Sequence, residues 1–202
     1  MNNNLFATMI SMAALVPPGV TADIPEPAGV ARNNSAPSDA QKMIRQLFEL
    51  SRQARVSLRD AIAVAEKRHH GSRTVRIGFD RSASPCYRVR TVRDAEIWEN
   101  NVDAKTGRIT GVERAISFQK LGREDRANIK ALKHVTQEMS EAVLVAERVV
   151  PGMAVGGCLV DDSVTLNFVV LVVTGDRLKQ VMLEVSRPRS SFSPSHVLRG
   201  NS

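Results

Sequence analysis

Aromatic residues and cysteines are both scarce in this 202-residue chain. Aromatic side chains make up 4% of it, and its two cysteines are Cys86 and Cys158. Two cysteines exclude the disulfide-dense scaffolds of small secreted domains. The core must therefore come from the aliphatic part of the 43% apolar content, which is enough for one modest core or two small ones.

The motifs that mark common catalytic sites are missing as well. The chain has no GxSxG, HExxH or CxxC sequence and no glycine-rich loop of the phosphate-binding kind. His69 and His70 are adjacent, so on a helix they point about 100° apart and cannot easily share a metal ion. We predict no catalytic, metal-binding or cofactor-binding residue and interpret the chain as non-enzymatic.

The N-terminal apolar run, Leu5–Val16, is too short to span a bilayer as a helix. Together with the small-residue pattern that ends at Ala22, it is typical of a secretory signal, although residues 1–4 lack Lys and Arg. We predict a signal peptide over residues 1–22, cleaved after Ala22, and a periplasmic or secreted protein with no stable membrane span. A cytoplasmic tail is the alternative. Residues 23–40 are predicted to be a disordered linker, and residues 189–202 a disordered tail.

The net charge of +7 and a pI near 10.0 favour acidic partners, among them nucleic acid. A nucleic-acid site would need a basic stripe with stacking aromatics. Three arginines do fall on one face of a predicted sheet, but Asp80 and Glu99 interrupt them and no aromatic lies among them. We therefore predict no nucleic-acid partner and keep Arg76, Arg88 and Arg90 as candidates for binding a protein.

Residues 41–118 are predicted to form a first α+β unit. A lead-in helix precedes Ser57, a plausible helix N-cap with Asp60 three residues later. The apolar stripe of the second helix consists of Leu58, Ala61, Ile62 and Ala65, and Gly71 can end that helix.

After Gly71 the apolar period changes from helical spacing to alternation, which predicts strands. A hairpin around Asp94-Ala95 predicts three cross-strand pairs: Tyr87 with Val102, Thr91 with Trp98, and Arg90 with Glu99. The first two pairs lie on the core face and the ion pair on the solvent face. A second turn, Asp103-Ala-Lys-Thr-Gly107, leads into another strand.

The order of these pieces resembles the PepSY domain family. The shared features are the helix with an AIAVAE core, the YRVRTV strand and the strand ending in VDAKTGRI, all of which lie within Ser57–Gly111. The resemblance implies a helix packed on a small antiparallel sheet and a non-catalytic module. It also implies a role in inhibiting or regulating peptidases in the cell envelope. No peptidase domain follows, so we do not expect a propeptide role within this chain.

Residues 122–188 are predicted to repeat the unit. An ungapped alignment that places Ala61–Glu66 on Ala142–Glu147 also places Ile77 on Cys158. The sequence thus predicts two tandem units, each a helix on an antiparallel meander. A disulfide between Cys86 and Cys158 is a candidate in an oxidising compartment, but Cys158 would occupy a core position, so a small buried thiol is the alternative.

The second sheet is apolar on both faces. A hairpin at Gly175-Asp176 sets Phe168, Val170 and Val172 on the core face, opposite Leu183, Val181 and Lys179 respectively. The other face therefore needs cover too. Cover within the chain, a homodimer and a separate partner are three alternatives. The candidate partner-binding residues on this face are Val169, Leu171, Val173, Leu178 and Met182.

We therefore expect an exported, non-catalytic module that binds a protein or peptide. Regulation of an envelope peptidase is what the PepSY resemblance adds. A structural or homodimeric envelope module is the alternative, and a basic nucleic-acid-binding protein is a less favoured one.

Overall fold

The computed structural model describes residues 21–23, 39–80, 85–161, 165–175 and 177–185. Residues 1–20 of the predicted signal, residues 24–38 of the predicted linker and the predicted tail 189–202 lie outside the described residues. In chain order the elements are β1 (Thr21–Asp23), α1 (Asp39–Gln53), α2 (Leu58–Arg68), β2 (Arg73–Asp80), β3 (Cys86–Arg93), β4 (Glu96–Asp103), β5 (Ile109–Ile116), a 3-10 helix (Phe118–Lys120), α3 (Arg123–Leu132), α4 (Met139–Val149), β6 (Met153–Asp161), β7 (Leu166–Thr174) and β8 (Arg177–Glu184).

The predicted α+β class is confirmed. The strands form one antiparallel sheet in the order β1-β8-β7-β6-β2-β3-β4-β5. β2 and β6 join its two halves at the centre, where Ile77 lies opposite Gly157. The strands of the two predicted units therefore share one sheet, and their origin by duplication stays a prediction. None of the helices described is long and apolar enough to cross a membrane.

α2 and α4 begin with the same reciprocal cap. The Ser57 side chain accepts a hydrogen bond from the Asp60 N–H, and the Asp60 carboxylate accepts one from the Ser57 N–H, as the sequence predicts. Glu138 and Glu141 form the corresponding pair at α4. These caps satisfy N–H groups that the first helical turn leaves without partners, and they place acids at the positive end of each helix.

Both predicted hairpin registers are confirmed. The β3–β4 hairpin contains the pairs Tyr87–Val102, Thr91–Trp98 and Arg90–Glu99. The β7–β8 hairpin contains the pairs Phe168–Leu183, Val170–Val181 and Val172–Lys179. Each register keeps Tyr87, Val170 and the other core side chains on the face covered by α2 and α4. A slip by one residue would turn every side chain of a strand to the opposite face.

The ungapped alignment of the two halves is wrong by one residue in the central strands. α2 and α4 begin and end at aligned positions, and so do β4 and β8. The bulge after Thr74 in β2, however, corresponds to the bulge after Ala154 in β6, which comes one position earlier than the alignment requires. Gly157 rather than Cys158 therefore takes the position of Ile77, and Cys158 pairs with Arg76.

We call the sheet face that carries Ile77, Val89 and Val170 the inner face. α2 and α4 lie side by side on it and bury their small residues against the sheet and each other. The Tyr87 hydroxyl, within this core, donates a hydrogen bond to the Val56 carbonyl at 2.7 Å. Buried residues of the two helices include Ala61, Ala65, Ala142 and Ala146.

The opposite side, which we call the outer face, is also covered within the chain. α1 packs Leu47 and Phe48 onto the outer side of β6, β7 and β8. Val169, Leu171 and Leu178 are consequently between 1% and 5% exposed, and Val173 and Met182 are partly buried in the same cluster. Cover by a lead-in helix is thus the alternative observed, and these five candidates do not form an open binding surface.

Replacing Leu171 with Asp tests this cover. The change puts a carboxylate among apolar side chains with no cation beside it, so we expect a loss of at least about 3 kcal/mol in the free energy of unfolding. The measurement is urea unfolding followed by circular dichroism. Val112→Asp is the matched control, because Val112 is 96% exposed and its variant should unfold like the parent protein. Equal stability of the two variants would mean that α1 does not cover this face in solution.

Candidate protein-binding surfaces

The arginines predicted to form a cationic face are already paired inside the chain. Arg90 lies between two carboxylates, with Nη1 at 2.7 Å from Asp125 Oδ2 and Nη2 at 3.1 Å from Glu99 Oε2. Arg76 reaches Asp125 Oδ1 at 3.6 Å, and Arg88 reaches Glu99 Oε1 at 3.7 Å. Two acids therefore serve three arginines.

One of the two carboxylates, Asp125, comes from α3, and no pattern in the sequence indicated that it lies next to these strands. α3 lies across β2 and β6, and Asp125 in its first turn faces the outer side of the sheet. Arg90 is 14% exposed as a result, while Arg88 remains about half exposed. The three arginines do lie together, as predicted, but they are not an open cationic surface, because α3 and its carboxylate occupy it.

A histidine cluster links the end of α2 to β5. The His69 ring stacks on the Trp98 ring with centroids 3.9 Å apart and planes 8° apart. His69 Nε2 lies 2.7 Å from Glu113 Oε2, and Arg68 approaches the same oxygen at 3.9 Å. The sequence indicated only a helix-end histidine, because Glu113 lies 44 residues further along the chain. The cluster holds β5 against the helix.

Two partly buried glutamates each accept a hydrogen bond from the backbone of the strand that follows their helix. Glu66 Oε1 accepts the Thr74 N–H at 2.8 Å, and Glu147 Oε1 accepts the Ala154 N–H at 2.9 Å. Burial raises the pKa of the Glu66 carboxyl, and the hydrogen bonds from Thr74 oppose that rise. Over the residues that the structure covers, no three His, Cys, Asp or Glu side chains lie close enough to hold a metal ion.

In the structure neither Cys86 nor Cys158 is part of a disulfide, and both are buried. Cys86 lies opposite Asp80 of β2, whereas Cys158 lies opposite Arg76 on the other side of that strand. Four residues of strand separate the two positions by about 13 Å, well beyond disulfide reach. Burial raises the pKa of the Cys158 thiol to about 12.

The two edges of the sheet differ in their cover. β5 is the last strand of the described sheet on one side, and most of its residues are exposed. They include Val112, which lies in a β-bulge next to Gly111, a glycine with a φ of 72°. On the other side, the described residues that pair with the outer edge of β8 are Thr21–Asp23. Unpaired backbone groups along an edge can bind an extended segment.

Comparison with known proteins supports the PepSY resemblance over one part of the chain. Residues 55–113 match the family model described as "Peptidase propeptide and YPEB domain", named PepSY. In the structure this segment runs from the residues before α2 into β5. The chain thus contains a PepSY-like unit there, and the second half of the sheet lies outside the match.

The chain was also compared with solved structures and with curated proteins. A solved structure described as a "putative lipoprotein" from Clostridium difficile 630 is similar, with 15% sequence identity and a TM-score of 0.38. The similarity covers 69% of this chain and 97% of that one. No curated protein matches the chain.

The contacts of Asp125 with Arg90 and Arg76 predict that this carboxylate stabilises the fold. Asp125→Asn weakens two charge-assisted contacts to Arg90 and Arg76, so we expect a loss of about 2 kcal/mol in the free energy of unfolding. Glu124→Gln is the matched control, because Glu124 is exposed beside it on the same helix. Chemical denaturation of both variants gives the comparison. An unchanged midpoint for Asp125→Asn would show that α3 does not depend on this contact.

The two thiols give a second prediction. At about pH 8, roughly one in 10⁴ Cys158 thiols is ionised, so a thiol reagent should not label the folded protein at this residue. Burial should protect Cys86 in the same way. Both cysteines should react once the protein is unfolded without reductant. An unreduced intact mass that is two hydrogens lower would instead reveal a disulfide.

Proposed function

We propose that this chain is an exported, non-catalytic binding protein whose partner is a protein or peptide of the cell envelope. The observation that carries the proposal is the PepSY match over residues 55–113. That segment folds as a complete helix-on-sheet unit, α2 with β2 to β5. The family description names a peptidase propeptide, so an envelope peptidase is the partner that we put first.

The described surfaces favour binding through an edge of the sheet. Helices cover both sheet faces, and the three arginines are engaged with Asp125 and Glu99. β5, which lies largely within the matched segment, has no neighbour on its outer edge among the described strands. An inhibitor that adds a strand to a peptidase, or receives one from it, needs such an edge.

Export rests on the sequence of residues 1–22, whose apolar run and small-residue ending are typical of a signal peptide. A periplasmic or secreted location follows from it. The alternative function is a structural envelope module that pairs with a second copy; the open edges favour it as well, because two edges can join in a dimer.

Crosslinking in intact cells, followed by capture of the tagged chain and identification of what it carries, tests the proposal. We expect an envelope peptidase in the capture and a lower activity of that peptidase when purified protein is added. An untagged strain is the control. Recovery of the protein alone would favour the structural alternative. Capture of cytosolic proteins or nucleic acid would contradict export.

A further inference from the structure

The two halves of the sheet have matching strand orders. Outward from the central β2–β6 pair, one half continues through β3, β4 and β5, and the other through β7, β8 and β1. β4 and β8 occupy aligned positions in the two halves, so β1 holds the place beside β8 that β5 holds beside β4. β5 has eight residues, whereas three residues of β1 are described, and β1 comes from the opposite end of the chain.

The predicted signal cleavage falls inside this short strand. Thr21, Ala22 and Asp23 lie opposite Val181, Gln180 and Lys179 respectively. Cleavage after Ala22 would remove two of the three described residues of β1, those that pair with Val181 and Gln180 of β8. In the unprocessed chain β1 therefore pairs with the β8 edge at a position where, after signal cleavage, another extended segment could pair.

Gln180 indicates the chemistry of that occupant. Its side chain is buried, with 2% exposure, and lies on the outer face opposite Leu171. Oε1 of Gln180 has no hydrogen-bond partner among the described residues. The corresponding residue of the other half, Glu99, is paired with arginines and lies opposite Arg114 of β5. Ala22, now opposite Gln180, has a methyl side chain that cannot donate a hydrogen bond.

We propose that the β8 edge docks an extended segment of the partner protein in place of β1. The incoming segment adds an antiparallel strand and carries a hydrogen-bond donor, Arg in the simplest case, opposite Gln180. Its backbone supplies most of the affinity, and the donor satisfies a buried oxygen whose lack of a partner costs free energy. Next to the donor it carries an apolar residue opposite the buried Val181. Cleavage after Ala22 and the identity of the partner as an envelope peptidase both rest on the proposed function; the position of the docking site and its hydrogen-bond donor rest on β8 and Gln180.

Peptides of residues 16–27 are the probes. The protein is isolated from the envelope of exporting cells, its N-terminus is read from the intact mass, and binding is measured by calorimetry. We expect a chain that starts at Asp23 and saturable binding of the native peptide. The Ala22→Arg peptide should bind about five- to tenfold more tightly, because it donates a charge-assisted hydrogen bond to Gln180.

Gln180→Leu tests the named contact. It removes the amide group and suits an apolar face, and in this variant both peptides should bind equally. Gln119→Leu, at an exposed position after β5, is the matched control and should keep the preference. Amide exchange checks the site independently: bound peptide should slow exchange in Lys179–Val181 and leave that of Ile109–Ile116 unchanged.

Four results would overturn the proposal. They are a purified chain that retains residues 1–22, a stable dimer with protected β8 amides, no binding of either peptide, and an Arg preference that survives Gln180→Leu. The peptidase and the docking site can be contradicted independently. If the peptides bind as expected but no peptidase is captured, the peptidase partner is wrong and the docking site stands. If a peptidase is captured, but its binding is unchanged by Gln180→Leu and by excess Ala22→Arg peptide, the docking site alone is wrong.

Discussion

The pairing of β2 with β6 is the contact on which the rest of the structure depends. It joins two four-strand halves into one sheet and brings α2 and α4 together on the inner face. Glycine lies at the join for a physical reason. A Cβ at Gly157 would lie 2.8 Å from Met139 Sδ of α4, so a larger residue there would displace the Met139 side chain.

A central join also changes what the PepSY-like unit can offer to a partner. In a lone unit of one helix and four strands, both β2 and β5 would have free edges. Here β6 occupies the edge of β2, and β5 and β1 are the outer strands, with β1 paired to β8. α1 and α3 cover the outer face, which would otherwise expose apolar and cationic side chains. The covered faces leave binding to the edges, where backbone groups rather than side chains dominate recognition.

Local patterns predicted much of the fold. The α2 cap needs only Ser57 and Asp60, and the β3–β4 register follows from alternation and a short turn, so both were readable from neighbouring residues. Contacts between distant segments were not. The stacking of His69 on Trp98, the link from Asp125 to Arg90, and the packing of Leu47 on the outer face join residues that no local period connects. The ungapped alignment missed the one-residue offset between β2 and β6. Each of these strands contains one bulge, and the sequence pattern does not show at which residue a bulge lies.

The sequence by itself determined the α+β class, the strand registers within each hairpin, the helix caps and the absence of familiar catalytic motifs, because short-range periodicity and capping chemistry specify these features. Tertiary structure alone decided that the halves share one sheet, which helix covers which face, and which edges remain for a partner. Those outcomes depend on packing between segments far apart in the chain. The burial of Leu171 and the pairing of Arg90 turned two predicted surfaces into interior contacts, since apolar area and unpaired charge are both stabilised by cover from within the chain.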